Sequence, residues 1–162
     1  MSLPLGGTLD FLRLVWAVDH GLQRVSKRME KELGVTGPQR FVLRLIGRFP
    51  SVTAGQLADA LDVHPSTMTG ILKRLEKRKL VVRRVDPHDG RRSFLALTEA
   101  GRAINADAGG AVEGAVAKVL EELPVGKVTN AREVLAALSA ALEQRAGNTT
   151  APNGDEKRAA AL

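Results

Sequence analysis

Short hydroxyl side chains and long cationic side chains recur between positions 66 and 77 at a helical spacing. The hydroxyl side chains are Ser66, Thr67 and Thr69, and the cationic ones are Lys73, Arg74 and Lys77, with Gly70 on the same face between them. Hydroxyl groups near the N-terminal end of a helix can reach base edges in the DNA major groove, and cations further along can reach phosphates or guanine. This face predicts direct reading of double-stranded DNA. The alternative is the ordinary solvated face of an amphipathic helix.

The opposite face of the same segment is apolar. Positions i, i+3, i+4 and i+7 are taken by Met68, Ile71, Leu72 and Leu75. This spacing predicts a helix over 65–78 with these four side chains in the core. Gly70 in mid-helix costs about 1 kcal/mol relative to Ala. A close approach of DNA or of a neighbouring helix would explain that cost, and so would simple tolerance of glycine.

A shorter helix and a turn precede this segment. Thr53 is the predicted N-cap of a helix over 54–61, and His64 followed by Pro65 predicts the start of the next helix. A short helix, a turn of a few residues and a second helix make up the helix-turn-helix unit. This unit is therefore the element that must position the polar face.

The segment after the two helices predicts a β-hairpin, or wing. Residues 80–85 and 92–97 read as strands, and the stretch between them is rich in turn-forming residues. Arg91 or Arg92 at the tip could enter a DNA minor groove, whose negative potential rises where the groove is narrow. Asp89 is expected to shape the turn by pairing with a nearby arginine.

A long helix is predicted over 8–33, with Thr8 as its N-cap and Gly34 at its end. Its apolar positions alternate between spacings of four and three, and they are Phe11, Val15, Val18, Leu22, Val25 and Met29. Such a seam suits packing along another helix. Periodicity alone does not separate a dimer from a bundle within the chain.

A helix over 38–48 is predicted next, with Pro38 at its first position. Arg40, Arg44 and Arg48 follow one another at intervals of four residues and predict a basic stripe on this helix. Arg40 is expected to contact a DNA phosphate.

The C-terminal third predicts two more helices and a tail. The first begins with Thr98 as its cap and runs to about Leu123, and its glycines at 109, 110 and 114 predict a kink or a close helix crossing. The last starts between 124 and 130 and ends near 145. Residues 146–162 lack an apolar period and are predicted to be disordered.

The positive charge is concentrated in the middle of the chain. The net formal charge is +6, and residues 37–102 alone carry 13 Lys/Arg against 6 Asp/Glu. An excess confined to one part of a fold is typical of a polyanion binder. A generally basic surface that aids solubility is the alternative.

The sequence lacks the residues that several functional classes require. The absence of Cys excludes disulfides, thiolate catalysis and Cys-ligated zinc. The three histidines are too scattered to suggest a metal site, and no phosphate loop or nucleophile–base pair indicates an enzyme. We expect no catalytic residue, metal or cofactor. No apolar run reaches 18 residues and no signal pattern is present, so we expect a cytoplasmic protein without a membrane partner.

Three stretches carry a family resemblance: AGQLADAL, STMTGILKRLEKRKLVVR and DPHDGRRSFLALTEAG. In the last, Asp89, Arg91, Leu97 and Thr98 fall in an Asp-x-Arg-x-x-x-x-x-Leu-Thr pattern. Residues 37–101 thus resemble the MarR family of winged-helix transcription regulators. Two departures are Arg78-Lys79, where many relatives have a Lys-Gly or similar turn, and the lack of Cys, which removes the peroxide-sensing branch of the family.

The resemblance implies a mostly α fold (α+β) with a small β-hairpin wing and long dimerisation helices at both ends. The implied organisation is an N-terminal dimerisation helix (1–36), a DNA-binding lobe (37–101), C-terminal dimerisation helices (102–145) and a disordered tail (146–162). It implies a homodimeric repressor that binds a pseudo-palindromic promoter operator. Phosphate contacts are expected from Arg40, Thr53, Lys73, Lys77 and the wing, and base contacts from Ser66, Thr67 and Thr69 with Lys73 or Arg74. A winged helix that binds only protein, and antagonises another regulator, is the alternative.

The resemblance also implies a small anionic or aromatic effector, bound between the dimer helices and the DNA-binding lobe. The residues expected to line that pocket are Trp16, His20, Arg24 and Arg44. The alternative is that Trp16 belongs to the core and that the other three are surface residues or members of structural ion pairs.

Overall fold

The computed structural model describes residues 5–86, 89, 92–106 and 112–147, and within these ranges it contains seven helices and two strands. In chain order they are α1 (Gly6–Leu33), α2 (Gly37–Arg48), α3 (Ala54–Ala60), α4 (Pro65–Lys77), β1 (Val81–Val85), β2 (Ser93–Leu97), α5 (Glu99–Ala106), α6 (Val112–Glu122) and α7 (Val125–Gly147). The chain divides into two compact units, Met1–Ala115 and Val116–Leu162. The predicted class, mostly α with a small hairpin, is confirmed.

The first helix begins earlier than predicted. α1 starts at Gly6 after Leu5, which makes no side-chain cap hydrogen bond, so the predicted N-cap role of Thr8 is wrong. The helix runs past Thr8, which therefore lies within its first turn. Gly34 ends α1 as predicted, in the left-handed region at φ 70°, where glycine carries no steric penalty.

Two short capping sequences start the next helices. Thr36 and Gln39 form a reciprocal capping box at the start of α2, and Thr53 and Gln56 form another at the start of α3. In each box the threonine Oγ accepts from the backbone N–H of the glutamine, while the glutamine side chain accepts from the threonine N–H. The predicted cap at Thr53 is confirmed. The cap at Thr36 places the start of α2 at Gly37, one residue before the predicted start.

The core of the first unit lies between α2, α4 and the hairpin. Its fully buried members include Val42 and Leu43 from α2, Leu72 and Leu75 from α4, and Leu95 from β2. The predicted inward face of α4 is confirmed, because Met68 is also buried and Ile71 packs half-buried against the same cluster. This core fixes the side of α4 that remains available to a partner.

The wing is a two-stranded antiparallel hairpin. Val81 of β1 lies opposite Leu97 of β2, Arg83 opposite Leu95, and Val85 opposite Ser93. Leu95 N also donates to Val52 O over 2.9 Å, which ties the hairpin to the segment before α3. Only Val81 is buried on β1, so the outer part of the hairpin extends into solvent.

A tight junction connects α4, the hairpin and α5. Lys79 takes a left-handed conformation at φ 57°, at the position where the sequence departs from the resembled family. Thr98 Oγ1 accepts from Gly101 N over 3.0 Å and donates to Lys79 O over 2.7 Å, which confirms its predicted cap role. A Cβ added to Gly101 would collide with the Leu80 carbonyl oxygen, so this crossing requires glycine.

Of the predicted helix from Thr98 to Leu123, the described ranges contain α5 and α6, and residues 107–111 between them lie outside the described residues. The positions of the expected kink at Gly109 and Gly110 lie outside the described residues, whereas Gly114 lies within α6. α7 begins at Val125, inside the predicted window, and ends at Gly147. Of the predicted tail, residues 148–162 lie outside the described residues.

Candidate nucleic-acid interface

The helix α4 presents the predicted polar face to solvent. Ser66, Thr67, Thr69, Lys73, Arg74 and Lys77 are all exposed, and Gly70 is half-buried. The buried residues of α4 are Met68, Leu72 and Leu75. The structure therefore brings the seven predicted positions together on one helix, with hydroxyl groups in its first turns and cations in its later turns.

Hydrogen bonds order the N-terminal end of this face. His64 is the N-cap of α4, and its Nδ1 accepts from Ser66 N over 3.3 Å, as the sequence predicted. Ser66 Oγ lies 2.8 Å from the same nitrogen, so His64 also orients the serine hydroxyl. Thr69 Oγ1 donates to Pro65 O over 2.8 Å, which directs its oxygen lone pairs outward for use as an acceptor.

Gly70 leaves an opening in the middle of the face. A Cβ built on Gly70 meets no heavy atom within 4 Å. A neighbouring helix within the described part of the chain therefore does not explain this glycine. Close approach of a DNA strand and simple tolerance of glycine remain as explanations.

The described part of the wing turn is closed by backbone hydrogen bonds. Arg92 N donates to Asp89 O over 2.9 Å, and Asp86 N donates to Arg92 O over 3.0 Å. The Arg92 guanidinium stacks 5.9 Å above the centroid of the Phe94 ring, a contact that holds the cation beside the exposed hairpin. Asp89 thus contributes to the turn through its carbonyl. Arg91, the other predicted wing contact, lies outside the described residues.

An ion pair links α4 to the wing. Arg83 Nε donates to Glu76 Oε1 over 2.7 Å. Neither residue was predicted from the sequence. Alternation along β1 places Arg83 on the same face as the buried Val81, but it does not show that Glu76 meets this face.

The prediction made for Arg40 is not supported by its position in the fold. Its side chain is 1% exposed, so the phosphate contact predicted for it is wrong. Its Nη1 donates to Ile104 O over 2.7 Å, and its Nε lies 3.6 Å from Glu113 Oε1. α5 packs along α2, and Arg40 binds a carbonyl of the last turn of α5, where a cation is favoured by the helix dipole.

Arg44 lies one turn further along α2 and makes a similar contact. Its Nη1 donates to Asn105 O over 2.6 Å, and its Nε lies 3.4 Å from the same Glu113 oxygen. Unlike Arg40, it is 33% exposed. It borders a cleft of about 440 Å³ lined by Phe41, Arg44, Leu45, Gly47, Arg48, Asn105 and Glu113. A volume of this order suits a small organic molecule.

The other predicted effector residues occupy the exposed surface of α1. Trp16 is 62% exposed, so the alternative that it belongs to the core of the chain is wrong. His20 Nδ1 lies 3.2 Å from Trp16 O, and Arg24 is exposed. Among the described residues, no hydrogen bond or ion pair joins Trp16, His20 or Arg24 to Arg44.

The described ranges hold neither a cluster of metal-ligating side chains nor a membrane-spanning helix. No group of three or more His, Asp or Glu side chains there is placed to hold a metal ion. None of the helices described has the length and apolar character needed to cross a bilayer.

Comparison with known proteins gives consistent results. A sequence model of the MarR family matches residues 33–92. FarR of Neisseria gonorrhoeae, an HTH-type transcriptional regulator, is 31% identical over 108 residues, which cover 67% of this chain and 74% of FarR. An HTH-type transcriptional repressor of Mycobacterium tuberculosis is 34% identical over 91 residues. That alignment covers 56% of this chain and 66% of the repressor, slightly less than two thirds of its length.

Two solved structures are similar over most of the chain. CouR from Rhodococcus jostii RHA1, solved with bound p-coumaroyl-CoA, has a TM-score of 0.66 and 28% identity over 85% of this chain and 95% of CouR. S. aureus MepR, solved as a complex with DNA, has a TM-score of 0.66 over 81% of this chain and 97% of MepR. At 20% identity, MepR supports the fold alone.

Proposed function

The chain belongs to the MarR family of transcription regulators, and on this basis we propose that it is a homodimeric regulator that binds double-stranded DNA at a specific operator. The observation that carries the proposal is the exposed face of α4. Its hydroxyl groups lie in the first turns, its cations lie further along, and its opposite side is fully engaged in the core. These are the requirements of a recognition helix in the major groove.

The length and position of each polar side chain determine which part of the DNA it is proposed to contact. Ser66, Thr67 and Thr69 have short side chains and are proposed to contact base edges, together with Lys73 or Arg74. Lys77, Thr53 and the wing arginines are proposed to contact phosphates or the minor groove, which sets register and most of the affinity. Arg40 is removed from this set because it is buried.

The surface of α1 supports the proposed homodimer. Large apolar side chains of α1 are exposed in the single chain: Leu9, Phe11, Leu12, Leu14, Trp16, Val18 and Leu22. Apolar side chains in such number on one helix are typical of a protein–protein contact. A dimer with two-fold symmetry would present two copies of α4 to half-sites about 10 bp apart, centre to centre. We propose that it represses transcription by covering a promoter, and that it acts in the cytoplasm without catalysis.

The cleft beside Arg44 supports regulation by a small ligand. Its walls combine an aromatic ring (Phe41) with Arg48 and with Arg44, which an aromatic carboxylate would bind by displacing Glu113. CouR is a relative that binds an aromatic acyl-CoA. We propose that an aromatic or other small anionic effector binds this cleft and releases DNA. Isothermal titration with a panel of aromatic acids tests this, and the absence of both heat and DNA release would remove the effector.

A domain that binds only protein is the competing function. It would present a more apolar face than the hydroxyl groups and cations of α4. The polar character of this face favours DNA.

Selection of bound duplexes from a random DNA library tests the main proposal. We expect a pseudo-palindromic consensus and a footprint with two protected major-groove segments about one turn apart. Recovery of no enriched sequence, together with no binding at low salt, would contradict DNA binding. A consensus without dyad symmetry would contradict the homodimer.

A further inference from the structure

The ion pair between Glu76 and Arg83 lies between the two elements that the proposed function applies to DNA. Glu76 is in the last turns of α4, and Arg83 is the central residue of β1. Their side chains are 29% and 42% exposed, and the hydrogen bond between them is 2.7 Å long. The contact is therefore short and only partly open to solvent.

The pair is the outermost attachment of β1 to the helix in the part of the chain that the structure describes. Val81 is buried, whereas the other four residues of β1 are exposed. Side chains alternate along a strand, so Val81 and Arg83 face the same side. Arg84 projects to the other side, and no described hydrogen bond or ion pair joins it to α4.

The remaining attachments lie at the inner end of the strand. Lys79 N donates to Glu76 O over 2.8 Å, and Leu80 N donates to Leu75 O over 3.0 Å. These backbone contacts fix where β1 begins. Beyond Val81, pairing with β2 ties the hairpin to Val52 through Leu95, and on the side of α4 the Arg83–Glu76 pair makes the contact.

We propose that Glu76 is a positioning residue for DNA binding, which holds Arg83, and through it the wing, at the angle where α4 and the wing contact DNA together. This inference rests on the proposed function. Fixing the wing before binding reduces the ordering cost that binding would otherwise carry. It also explains why a carboxylate lies on a helix whose exposed face is cationic.

The charge-neutral double variant separates positioning from electrostatics. Glu76→Gln with Arg83→Gln removes the pair and leaves the net charge unchanged. If only charge matters, the double variant binds DNA like the wild type. If the pair positions the wing, it binds about two- to fivefold more weakly, the effect expected for a partly exposed pair.

The single variant and a matched control give an independent comparison. Glu76→Gln removes one negative charge and so raises the net charge by one. Asp59→Asn on α3 does the same, and the exposed Asp59 makes no described ion pair. Charge alone predicts equally tight or tighter binding for both. Positioning predicts that Glu76→Gln binds about two- to fivefold more weakly than Asp59→Asn.

The wing itself supplies the readout that a merely structural role would not affect. Arg92→Ala should weaken DNA binding in the wild type and should cost less when Glu76 is already Gln, because a loosened wing no longer holds Arg92 on DNA. Equal costs in the two backgrounds would overturn the inference.

The measurements use the full chain and a fluorescent duplex obtained by selection, in anisotropy titrations at several salt concentrations. Urea unfolding shows whether each variant is folded, so that a change in DNA binding can be assigned to the lost ion pair. A double variant that binds like the wild type, or Glu76→Gln binding as tightly as Asp59→Asn, overturns the positioning role. Failure of the wild type to bind any selected duplex would instead contradict the proposed function.

Discussion

Gly70→Ala should stabilise the protein and weaken its binding to DNA. Gly70 lies in the interior of α4, and a Cβ at this position meets no heavy atom within 4 Å in the free chain. Replacing a helix-interior glycine by alanine gains about 1 kcal/mol, because alanine loses less backbone entropy on folding. With no clash to offset it, this gain should appear in full as a higher free energy of unfolding.

The cost on DNA arises from the same added methyl group. Gly70 is flanked on α4 by Thr69 and is followed one turn later by Lys73 and Arg74, which belong to the proposed DNA-reading face. A methyl group forced into a well-packed contact costs about 1–3 kcal/mol. We therefore expect the dissociation constant to rise by about fivefold to 100-fold.

Two measurements on the same preparation decide the outcome. Urea unfolding gives the change in stability, and anisotropy with a selected duplex gives the change in affinity. Gly114→Ala is the control, because Gly114 is also helical with open space around its Cβ but lies on α6. It should raise the free energy of unfolding by a similar amount, which isolates the helix-propensity part of the effect.

Two outcomes would contradict the expectation for Gly70→Ala. Higher stability with unchanged affinity would show that Gly70 is merely tolerated and that α4 does not approach DNA closely there. A loss of stability would show that the space around Gly70 is not open in the folded protein.

Three further substitutions test other parts of the argument. Arg40→Ala should lower the free energy of unfolding by about 2–4 kcal/mol, because it empties a buried position and leaves the Ile104 carbonyl without its donor, while Glu113 keeps Arg44; urea titration measures it, and a change below about 1 kcal/mol would contradict the role. Gly101→Ala should cost about 2–3 kcal/mol in the same assay, since its methyl group meets the Leu80 carbonyl, and a neutral result would mean that the crossing relaxes easily. Arg91→Ala should weaken DNA binding and reduce the salt slope by about one per lobe, and an unchanged slope in anisotropy would remove Arg91 from the phosphate contacts.

Local signals in the sequence were sufficient for most of the helices. Thr53, His64 and Gly34 mark helix ends because each acts on backbone groups within a few residues of itself. The prediction from Thr8 was wrong because α1 starts two residues earlier, at Gly6, so the Thr8 side chain does not lie at the N-cap. Thr36 with Gln39 is the same Thr-x-x-Gln signature as Thr53 with Gln56, so the start of α2 was predictable to the residue.

Contacts between distant segments were not predictable in the same way. The arginine stripe of α2 repeats every four residues, but its pattern does not say which of the arginines another helix buries. α5 follows about 50 residues later and buries Arg40 while it leaves Arg44 partly exposed. The pairing of Glu76 with Arg83 likewise depends on how a helix and a strand meet, and this cannot be found from either element alone.

These contacts change the meaning of the positive segment. Residues 37–102 carry 13 Lys/Arg, and among those that the structure describes, four arginines are seen to donate to groups within the protein. They are Arg40, Arg44, Arg83 and Arg102. A cation that already binds a helix terminus or a carboxylate must break those hydrogen bonds before it can bind phosphate, and the groups that it leaves lose their partner. The concentration of charge therefore identifies the lobe that binds DNA, whereas the exposed cations of α4 and the wing, rather than the total, should determine how steeply binding depends on salt.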